Sequence, residues 1–308
     1  MTITDIYELV KDGIQLSLSY FISPNKRIYI PFLLSSLILS YFVFKFTRVR
    51  QSFIDYVFHK KVWWSSSARV DYIFLVFNGV FKVIAIGPWL ILGVYVSFYT
   101  KEFLLSLFGY PNFTLSSKWI VLGYTGTLFV IKDLSTYIVH LMMHKIPILW
   151  RFHKVHHSAE VLNPITQYRI HPVELLINNL KGIMIFGLVT GIFDFLSNGA
   201  MQLWMILGVN GLGFLFMLLG ANLRHSHVKL KYPEWLELWL ISPVQHQIHH
   251  SDRKEHFDRN LGSVLAIWDR LFGTLVLSKN IGRIKFGLGT AGKNMHSFGQ
   301  NLLNPFKK

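Results

Sequence analysis

Long apolar runs separated by short polar connections are the main pattern of this 308-residue chain. A helix needs about 20 predominantly apolar residues to cross the hydrocarbon core of a bilayer. Residues 28–44 are uncharged and nearly that long, and a longer run over 72–99 is interrupted by Lys82 and Pro88. Later apolar runs occupy 119–137, 182–193 and 195–223, the last two closely joined. The pattern predicts an all-α, polytopic membrane helical bundle of about four to five spans.

Two segments leave alternatives open. The interruption at Lys82 and Pro88 fits either one kinked span or an interfacial piece followed by a span. Residues 1–24 lack the basic start of a cleaved signal peptide and carry Asp5, Glu8 and Asp12 instead. Their apolar spacing fits either a short amphipathic helix at the membrane surface or a loosely ordered terminus.

The composition supports a membrane protein. Hydrophobic residues make up 52% of the chain and charged residues only 15%, against about 25% charged in soluble domains. The net charge of +15 comes from basic residues that flank apolar runs, which favours an anionic membrane surface over nucleic acid as the partner. Cysteine is absent, so disulfides and thiolate metal sites are excluded and histidines and carboxylates remain as ligands.

The distribution of basic residues predicts the orientation of the spans, because cytosolic loops are enriched in Lys and Arg. The loop after the first span contains six basic residues: Lys45, Arg48, Arg50, Lys60, Lys61 and Arg69. The loop after the second contains only Lys101 and Lys118. The first loop is therefore expected in the cytosol, and counting spans onward places 145–172 and the chain from His225 there too. The membrane is expected to be a bacterial inner membrane or the endoplasmic reticulum.

Three histidine clusters carry the candidate chemistry. They comprise His140 and His144; His153, His156 and His157; and His246, His249 and His250. Positions i, i+3 and i+4 lie on one helical face, so each cluster aims its imidazoles in one direction. Imidazole suits iron, zinc, copper and nickel. All three clusters follow spans and fall on one membrane side, which predicts a shared site for more than one metal ion.

The order HxxxH, HxxHH, HxxHH on an apolar chain resembles the membrane fatty acid hydroxylase/sterol desaturase superfamily. The similarity covers roughly residues 132–274. It extends to four further segments: Asp-Leu-Ser-Thr-Tyr-Ile-Val-His at 133–140, Arg-Ile-His-Pro-Val-Glu at 169–174, Asn-Leu-Gly at 260–262 and Trp-Asp-Arg-Leu-Phe-Gly-Thr at 268–274. The family often has Arg after the first histidine of the first box, where this chain has Leu141. We interpret this departure as a change in contacts around the site rather than loss of the metal site.

The resemblance implies two iron ions held mainly by histidine, with zinc able to replace iron in purified protein. It implies nine ligands, namely His140, His144, His153, His156, His157, His225, His246, His249 and His250. On a helix His227 would point about 200° away from His225, so it is the weaker candidate. His171 precedes Pro172 and is expected in extended backbone. Either metal ligation or a hydrogen bond to a ligand imidazole remains open for His171.

Asp133, Tyr137 and Asn260 are candidates for supporting the metal site. Asp133 and Tyr137 share a helical stripe with His140 and His144, at steps of four, three and four. A ligating imidazole usually donates its other N–H to a carboxylate or carbonyl, which is the role expected of Asp133. The alternative for Asp133 is an ion pair with a basic neighbour. Glu174, Asn222, Asp258 and Asp269 are weaker candidates for the same support.

The resemblance implies an O₂-dependent di-iron oxidoreductase that hydroxylates or desaturates a lipid such as a sterol, a fatty acyl lipid or an alkylglycerol. Such a reaction requires a separate electron donor, a reductase, cytochrome or ferredoxin. The alternative from another class is a non-catalytic, His-rich membrane metal carrier. The predicted organisation is an N-terminal amphipathic segment with the first spans (1–118), a catalytic domain with a cytosolic helical cap (119–278) and a basic cytosolic tail (279–308).

Overall fold

The computed structural model describes residues 2–47, 49–113, 115–199, 205–206, 209–279, 281–292 and 294–307. Arg48, one of the six basic residues of the first loop, lies outside them. Within these ranges the regular secondary structure is helical apart from a short antiparallel ladder between β1 (Met205–Ile206) and β2 (Val209–Asn210) and two isolated bridges, Leu240–Leu265 and Ser251–Phe286. The first helices are α1 (Ile3–Ser19), α2 (Ile30–Phe46), α3 (Phe53–Val57), α4 (Lys60–Trp63), α5 (Ser66–Phe81) and α6 (Ile91–Phe108). Then come α7 (Ser117–Lys145), α8 (Pro147–His157), α9 (Pro172–Leu196), α10 (Gly211–Leu218), α11 (Glu234–Glu237), α12 (Pro243–His249), α13 (Ile267–Leu271) and α14 (Phe298–Leu303).

Of the two alternatives for the N-terminal segment, the structure shows a helix, and α1 packs closely against α5. The side chain of Thr2 accepts a hydrogen bond from the Asp5 amide and caps the helix. A Cβ at Gly79 would lie 1.9 Å from the Ser17 hydroxyl, so the two backbones approach at a distance that only glycine allows. Ser17 also donates to the Leu75 carbonyl at 3.0 Å. The terminus is therefore an ordered part of the bundle.

The run over 72–99 belongs to one kinked helical segment. α5 passes into a π-helical turn at Lys82–Ile86 and a 3₁₀ turn at Gly87–Leu90 before α6 begins. Pro88 has no N–H to donate into the helix, which explains the kink there. α6 then packs closely on α9. A Cβ placed on Gly187 of α9 would lie only 2.7 Å from the Gly93 carbonyl oxygen of α6, so glycine allows this close approach.

Two helices, α9 and α10, correspond to the joined runs 182–193 and 195–223, but the boundary between the runs, at Asp194, is wrong. α9 begins at Pro172 and continues through Asp194, because that carboxylate forms an ion pair with Lys101 of α6 at 3.0 Å instead of breaking the helix. The helix ends in a turn where Asn198 and Gly199 have φ of 51° and 86°. The next helix in the described chain is α10, which begins at Gly211 and is capped by Asn210, whose side-chain oxygen accepts from the Leu212 and Gly213 amides.

Two helical segments of the described chain are long and apolar enough to cross a membrane, 66–108 and 172–196. Only 22% of the most apolar window of each is buried inside the protein, whereas a core helix of a soluble protein would be mostly buried. α2 is apolar but has 17 residues, and α7 carries Lys132 and Asp133 in its interior. The two segments are fewer than the predicted four to five spans, and the larger number stays a prediction.

Buried contacts join the three predicted regions of the chain. Asp71 of α5 forms a buried ion pair with Arg169 at 2.6 Å and so joins the first predicted region to the second. The predicted C-terminal tail also folds back onto the bundle. Phe298 of α14 packs on Phe74, and Asn301 accepts a hydrogen bond from Ser158 at 2.8 Å. These contacts place the C-terminal segment against α5 and the end of α8.

Candidate metal centre

Nine buried or half-buried histidines meet between α7, α8, α12 and the 3₁₀ turn Ala221–His225. They form two groups, and within each group the ring nitrogens lie within 4.8 Å of one another. The first group is His140, His144, His153, His157 and His249. The second is His156, His225, His246 and His250. The structure therefore brings together all nine histidines that the sequence analysis proposed as ligands.

The two HxxHH motifs divide their histidines between the groups in opposite ways. On α8, His153 and His157 at i and i+4 join the first group, while His156 at i+3 joins the second. On α12, His246 and His250 join the second group, while His249 joins the first. The rings of His157 and His250 stack at 4.6 Å between the two groups. Each motif thus serves both groups, which places the groups side by side.

The nitrogen spacing fits coordination of a metal ion. Contacts between Nε2 atoms measure 3.1 Å for His140–His153 and for His225–His246, and 3.2 Å for His246–His250. Two imidazole nitrogens bound at about 2.1 Å and at right angles around one metal would lie about 3.0 Å apart. His144 and His249 point Nε2 atoms into the first group, and these buried atoms have no hydrogen-bond partner in the described chain. A metal ion in each group would satisfy these nitrogens.

Hydrogen bonds at the opposite ring nitrogen orient most of these imidazoles. Nδ1 of His140 donates to the Leu261 carbonyl at 2.7 Å, and Nδ1 of His249 donates to the Arg259 carbonyl at 2.9 Å. Further Nδ1 contacts join His153 to Glu174, His156 to the Arg169 carbonyl and His144 to Asp258. With Nδ1 occupied as a donor, the lone pair of Nε2 faces inward, as a metal ligand requires.

The electrostatic environment keeps the histidines neutral. Burial lowers the pKa of His153 to about 3, and burial together with neighbouring histidines lowers that of His156 to about 3. Burial also holds the pKa values of His225, His246 and His250 well below the usual range. Neutral imidazole is the form that binds metal.

Both interpretations of His171 are wrong, and His227 is also outside the two groups. His171 caps α9: its Nδ1 accepts from the Val173 amide, and its Nε2 donates to the Leu302 carbonyl, both at 3.1 Å. His227 donates from Nε2 to the Tyr56 carbonyl at 2.6 Å. The chain between His225 and His227 is extended at Ser226, so the two rings point to different places.

The expected role of Asp133 beside a ligand imidazole is wrong, and so is the ion-pair alternative. Its carboxylate accepts from the Val264 and Leu265 amides and from the Trp268 indole, each at 3.0 Å. Three donors already occupy this carboxylate, so it fixes residues 264–265 and the first turn of α13 on α7 instead of contacting a histidine ring. A loop contact of this kind joins residues far apart in sequence and leaves no local pattern.

Tyr137 and Asn260 likewise support the loop and contact no histidine ring. Tyr137 pairs with the Thr274 hydroxyl at 2.9 Å, and Thr274 donates to Asp269 at 2.6 Å. Asp269 accepts a hydrogen bond from the N–H of Leu261, and the carbonyl of Leu261 in turn orients His140. Asn260 has φ of 52° and donates to the Gln245 carbonyl of α12 at 3.0 Å. Each acts on the histidines through the backbone.

Trp150 lies beside the first histidine group, a position that the sequence analysis did not predict. Its ring lies 5.1 Å from that of His144 and 5.4 Å from that of His157. The sequence does contain a signal for this position, because His153 and His157 follow Trp150 at i+3 and i+7 and share its helical face. The Leu261, Arg259 and Arg169 carbonyls had no such signal, since backbone groups act regardless of residue type.

Two cavities reach the histidines. One of about 350 Å³ is lined by members of both groups, including His140, His153, His225 and His246, together with apolar residues such as Val139 and Met143. A second, of about 330 Å³, is lined by three members of the first group and by Trp150 and Asp258. The first has the size of a small-ligand site and gives direct access to both groups.

Comparison with known proteins matches residues 125–274, which contain all nine histidines, to the fatty acid hydroxylase family model. Human alkylglycerol monooxygenase is 28% identical over 142 residues, which is 46% of this chain and 28% of that protein. Ornithine lipid hydroxylase OlsE of Rhizobium tropici is 29% identical over 180 residues, 58% of this chain and 49% of that protein. Mouse lathosterol oxidase is 22% identical over 206 residues, 65% of this chain and 60% of that protein. The alignments thus span about half or less of the first two relatives. No solved structure matches the chain significantly.

Proposed function

Because this chain belongs to the membrane fatty acid hydroxylase/sterol desaturase superfamily, we propose that it is an O₂-dependent di-iron oxidoreductase that hydroxylates or desaturates a lipid. The observation that carries the proposal is the pair of adjacent histidine groups with inward nitrogens at metal-ligand spacing. A cavity lined by both groups and by apolar side chains supports a lipid as the substrate.

Two iron ions fit the donor set, with five histidines for one and four for the other. When bound and reduced, they supply the activation of O₂. Hydroxylation places one oxygen atom in a C–H bond and releases the other as water, consuming two electrons and two protons. Desaturation removes two hydrogens from adjacent carbons and releases both oxygen atoms as water, with the same input of electrons and protons. The electrons come from a separate reductase, cytochrome or ferredoxin.

The residues of this chain position the metals and exclude water. The carbonyls of Leu261 and Arg259 and the carboxylate of Glu174 fix ring orientation, which preserves the ligand geometry. Trp150 packs against His144 of the first group and lines the second cavity. Val139 and Met143 line the first cavity and provide an apolar contact for a hydrocarbon chain near His140.

The test of this function is O₂ uptake driven by a chemical reductant, together with a comparison of lipids from a deletion strain and its parent. We expect O₂ consumption that depends on an added lipid extract, and one lipid class that loses a hydroxyl group or a double bond in the deletion strain. A His-rich metal carrier would consume no O₂ and leave all lipid classes unchanged. Either result, obtained with fully metallated protein, would contradict the proposed activity.

We also propose that the protein is a multi-pass membrane protein with the histidine groups on the cytosolic side, supported by the six-to-two asymmetry of basic residues between the first two loops. A cysteine replacing the exposed Glu255 is expected to react with a membrane-impermeant maleimide only after the cells are permeabilised. One replacing the exposed Asn112 should react in intact cells. The chain has no cysteine of its own, so labelling has no background. Labelling of Glu255→Cys in intact cells would contradict the orientation.

A further inference from the structure

Four basic side chains line the same cavity as the histidines: Lys26, Arg27, Lys82 and Arg224. Among the described residues, none of their nitrogens lies within 4.0 Å of a carboxylate, although Lys11, Lys101, Lys145 and Arg169 all have such partners. Cations gathered in one partly enclosed space repel one another unless an anion joins them. The proposed oxidation does not use these four residues.

Arg224 is the least exposed of the four, at 2% of its surface. One guanidinium nitrogen, Nη2, donates to the Ser263 carbonyl at 2.8 Å, and the group lies 5.5 Å from the centre of the Phe216 ring. The Nε atom is buried and has no hydrogen-bond partner among the described residues. A buried guanidinium with an unused N–H is costly, and an anionic ligand in the cavity would satisfy it.

Arg27 converges on the same point from a different part of the chain. Its Nη2 donates to the Ser263 hydroxyl at 3.2 Å, so both guanidinium groups meet at one serine. Asn222 anchors the backbone of Arg27 through a hydrogen bond to its carbonyl. Two guanidinium groups held side by side present several N–H donors to one ligand, the arrangement that phosphate oxygens prefer.

Lys26 and Lys82 extend the basic surface of the cavity. The Lys82 ammonium donates to the Tyr20 hydroxyl at 3.0 Å, and the Lys26 ammonium lies 4.8 Å from the centre of the same ring. Two carboxylates lie near this region. Asp133 accepts from three donors at 264–268. Glu174 lines the same cavity and accepts from His153 with one oxygen, while its other oxygen has no hydrogen-bond partner among the described residues. The cavity is therefore positively charged on one part of its wall and apolar on another.

We propose that the substrate is a lipid with a phosphate in its headgroup, and that Arg224 and Arg27 bind this phosphate while the hydrocarbon chain lies beside the histidine groups. A phosphate carries one to two negative charges and several acceptor oxygens, which matches the cluster of unpaired cations. Arg224 is not a surface residue that anchors the protein to bulk headgroups, because it is almost fully buried. This proposal rests on the proposed lipid oxidation, because the bound lipid is a substrate only if it is oxidised. Binding of the phosphate can be tested separately.

The test measures lipid binding by the metal-loaded protein in neutral detergent, without O₂ or reductant, so that no turnover occurs. The probes are lysophosphatidic acid and the monoacylglycerol with the same single chain. We expect the phosphate lipid to bind at least about tenfold more tightly, since charge-assisted hydrogen bonds contribute that much or more. Arg224→Gln and, separately, Arg27→Gln should remove this difference while the neutral lipid binds as before.

Lys279→Gln is the matched control, because it removes a positive charge from an exposed ion pair with Glu234 at 2.9 Å. This variant should keep the full preference for the phosphate lipid. Equal binding of the two lipids by the unmodified protein would overturn the proposal. A preference that survives in both arginine variants would overturn it as well, as would inorganic phosphate competing as tightly as the lipid.

Metal content accompanies each measurement, because Arg224 is adjacent to His225. Loss of metal in Arg224→Gln would leave Arg27→Gln as the deciding variant. A preference for phosphate with no O₂ uptake on any lipid would keep the phosphate site and contradict the oxidation. O₂ uptake with equal binding of both lipids would keep the oxidation and contradict the phosphate site.

Discussion

Replacing His225 with alanine is expected to abolish lipid oxidation and to lower the metal content of the purified protein, whereas His227→Ala should keep most of both. His225 directs Nε2 to within 3.2 Å of His156 and 3.1 Å of His246, inside the four-histidine group. Its loss would leave three ligands at that position. His227 instead bonds to the Tyr56 carbonyl, outside both groups.

The pair is well matched, since both variants remove a buried or half-buried imidazole from the same short segment. His227→Ala loses one hydrogen bond to a backbone carbonyl, which costs about 1 kcal/mol of stability. Metal content by elemental analysis and turnover on the identified lipid are the two readouts. Loss of metal in His227→Ala with retention in His225→Ala would contradict the assignment of ligands.

Glu174→Ala is expected to lower metal affinity or activity by about 10- to 100-fold, the usual effect of removing a partner of a metal-bound histidine. Glu174 is 5% exposed and accepts from Nδ1 of His153 at 3.0 Å. Without it, the His153 ring loses the contact that fixes its orientation. Glu174→Gln keeps an acceptor oxygen at the same place and should retain more activity than the alanine variant.

The control for Glu174 is Glu160→Ala, which removes an exposed carboxylate near His296 and should change neither metal content nor rate. Metal affinity is measured by competition with a chelator, and the rate by product formation under the same reductant. Full metal affinity and full rate in Glu174→Ala would show that His153 is oriented without this carboxylate.

The histidine site could be predicted from the sequence because its signal is local. The i, i+3, i+4 spacing on α8 and α12 determines which imidazoles share a helical face, and the structure places all of them in the two groups. What the spacing could not predict is the opposite division of the two HxxHH motifs. That division depends on how α8 and α12 face each other across α7 and the 221–225 turn.

Contacts between distant segments account for what the sequence analysis got wrong. Asp133 was expected beside a ligand, but residues 264–268 supply three donors to it. The boundary between the runs 182–193 and 195–223 was expected at Asp194, but α9 continues through this residue because Lys101 on α6 neutralises it. Asn301 and Phe298 bind the C-terminal segment to the bundle, and no local pattern predicts these contacts. In each case the partner lies far along the chain and has no fixed spacing.

The central claim is that nine histidines of this chain hold two metal ions side by side. The most direct measurement is the iron and zinc content of protein purified without O₂ from cells grown with added iron. We expect close to two metal ions per chain, five of the histidines serving one and four the other. A content well below one ion per chain, in protein that is folded and monodisperse, would contradict the claim.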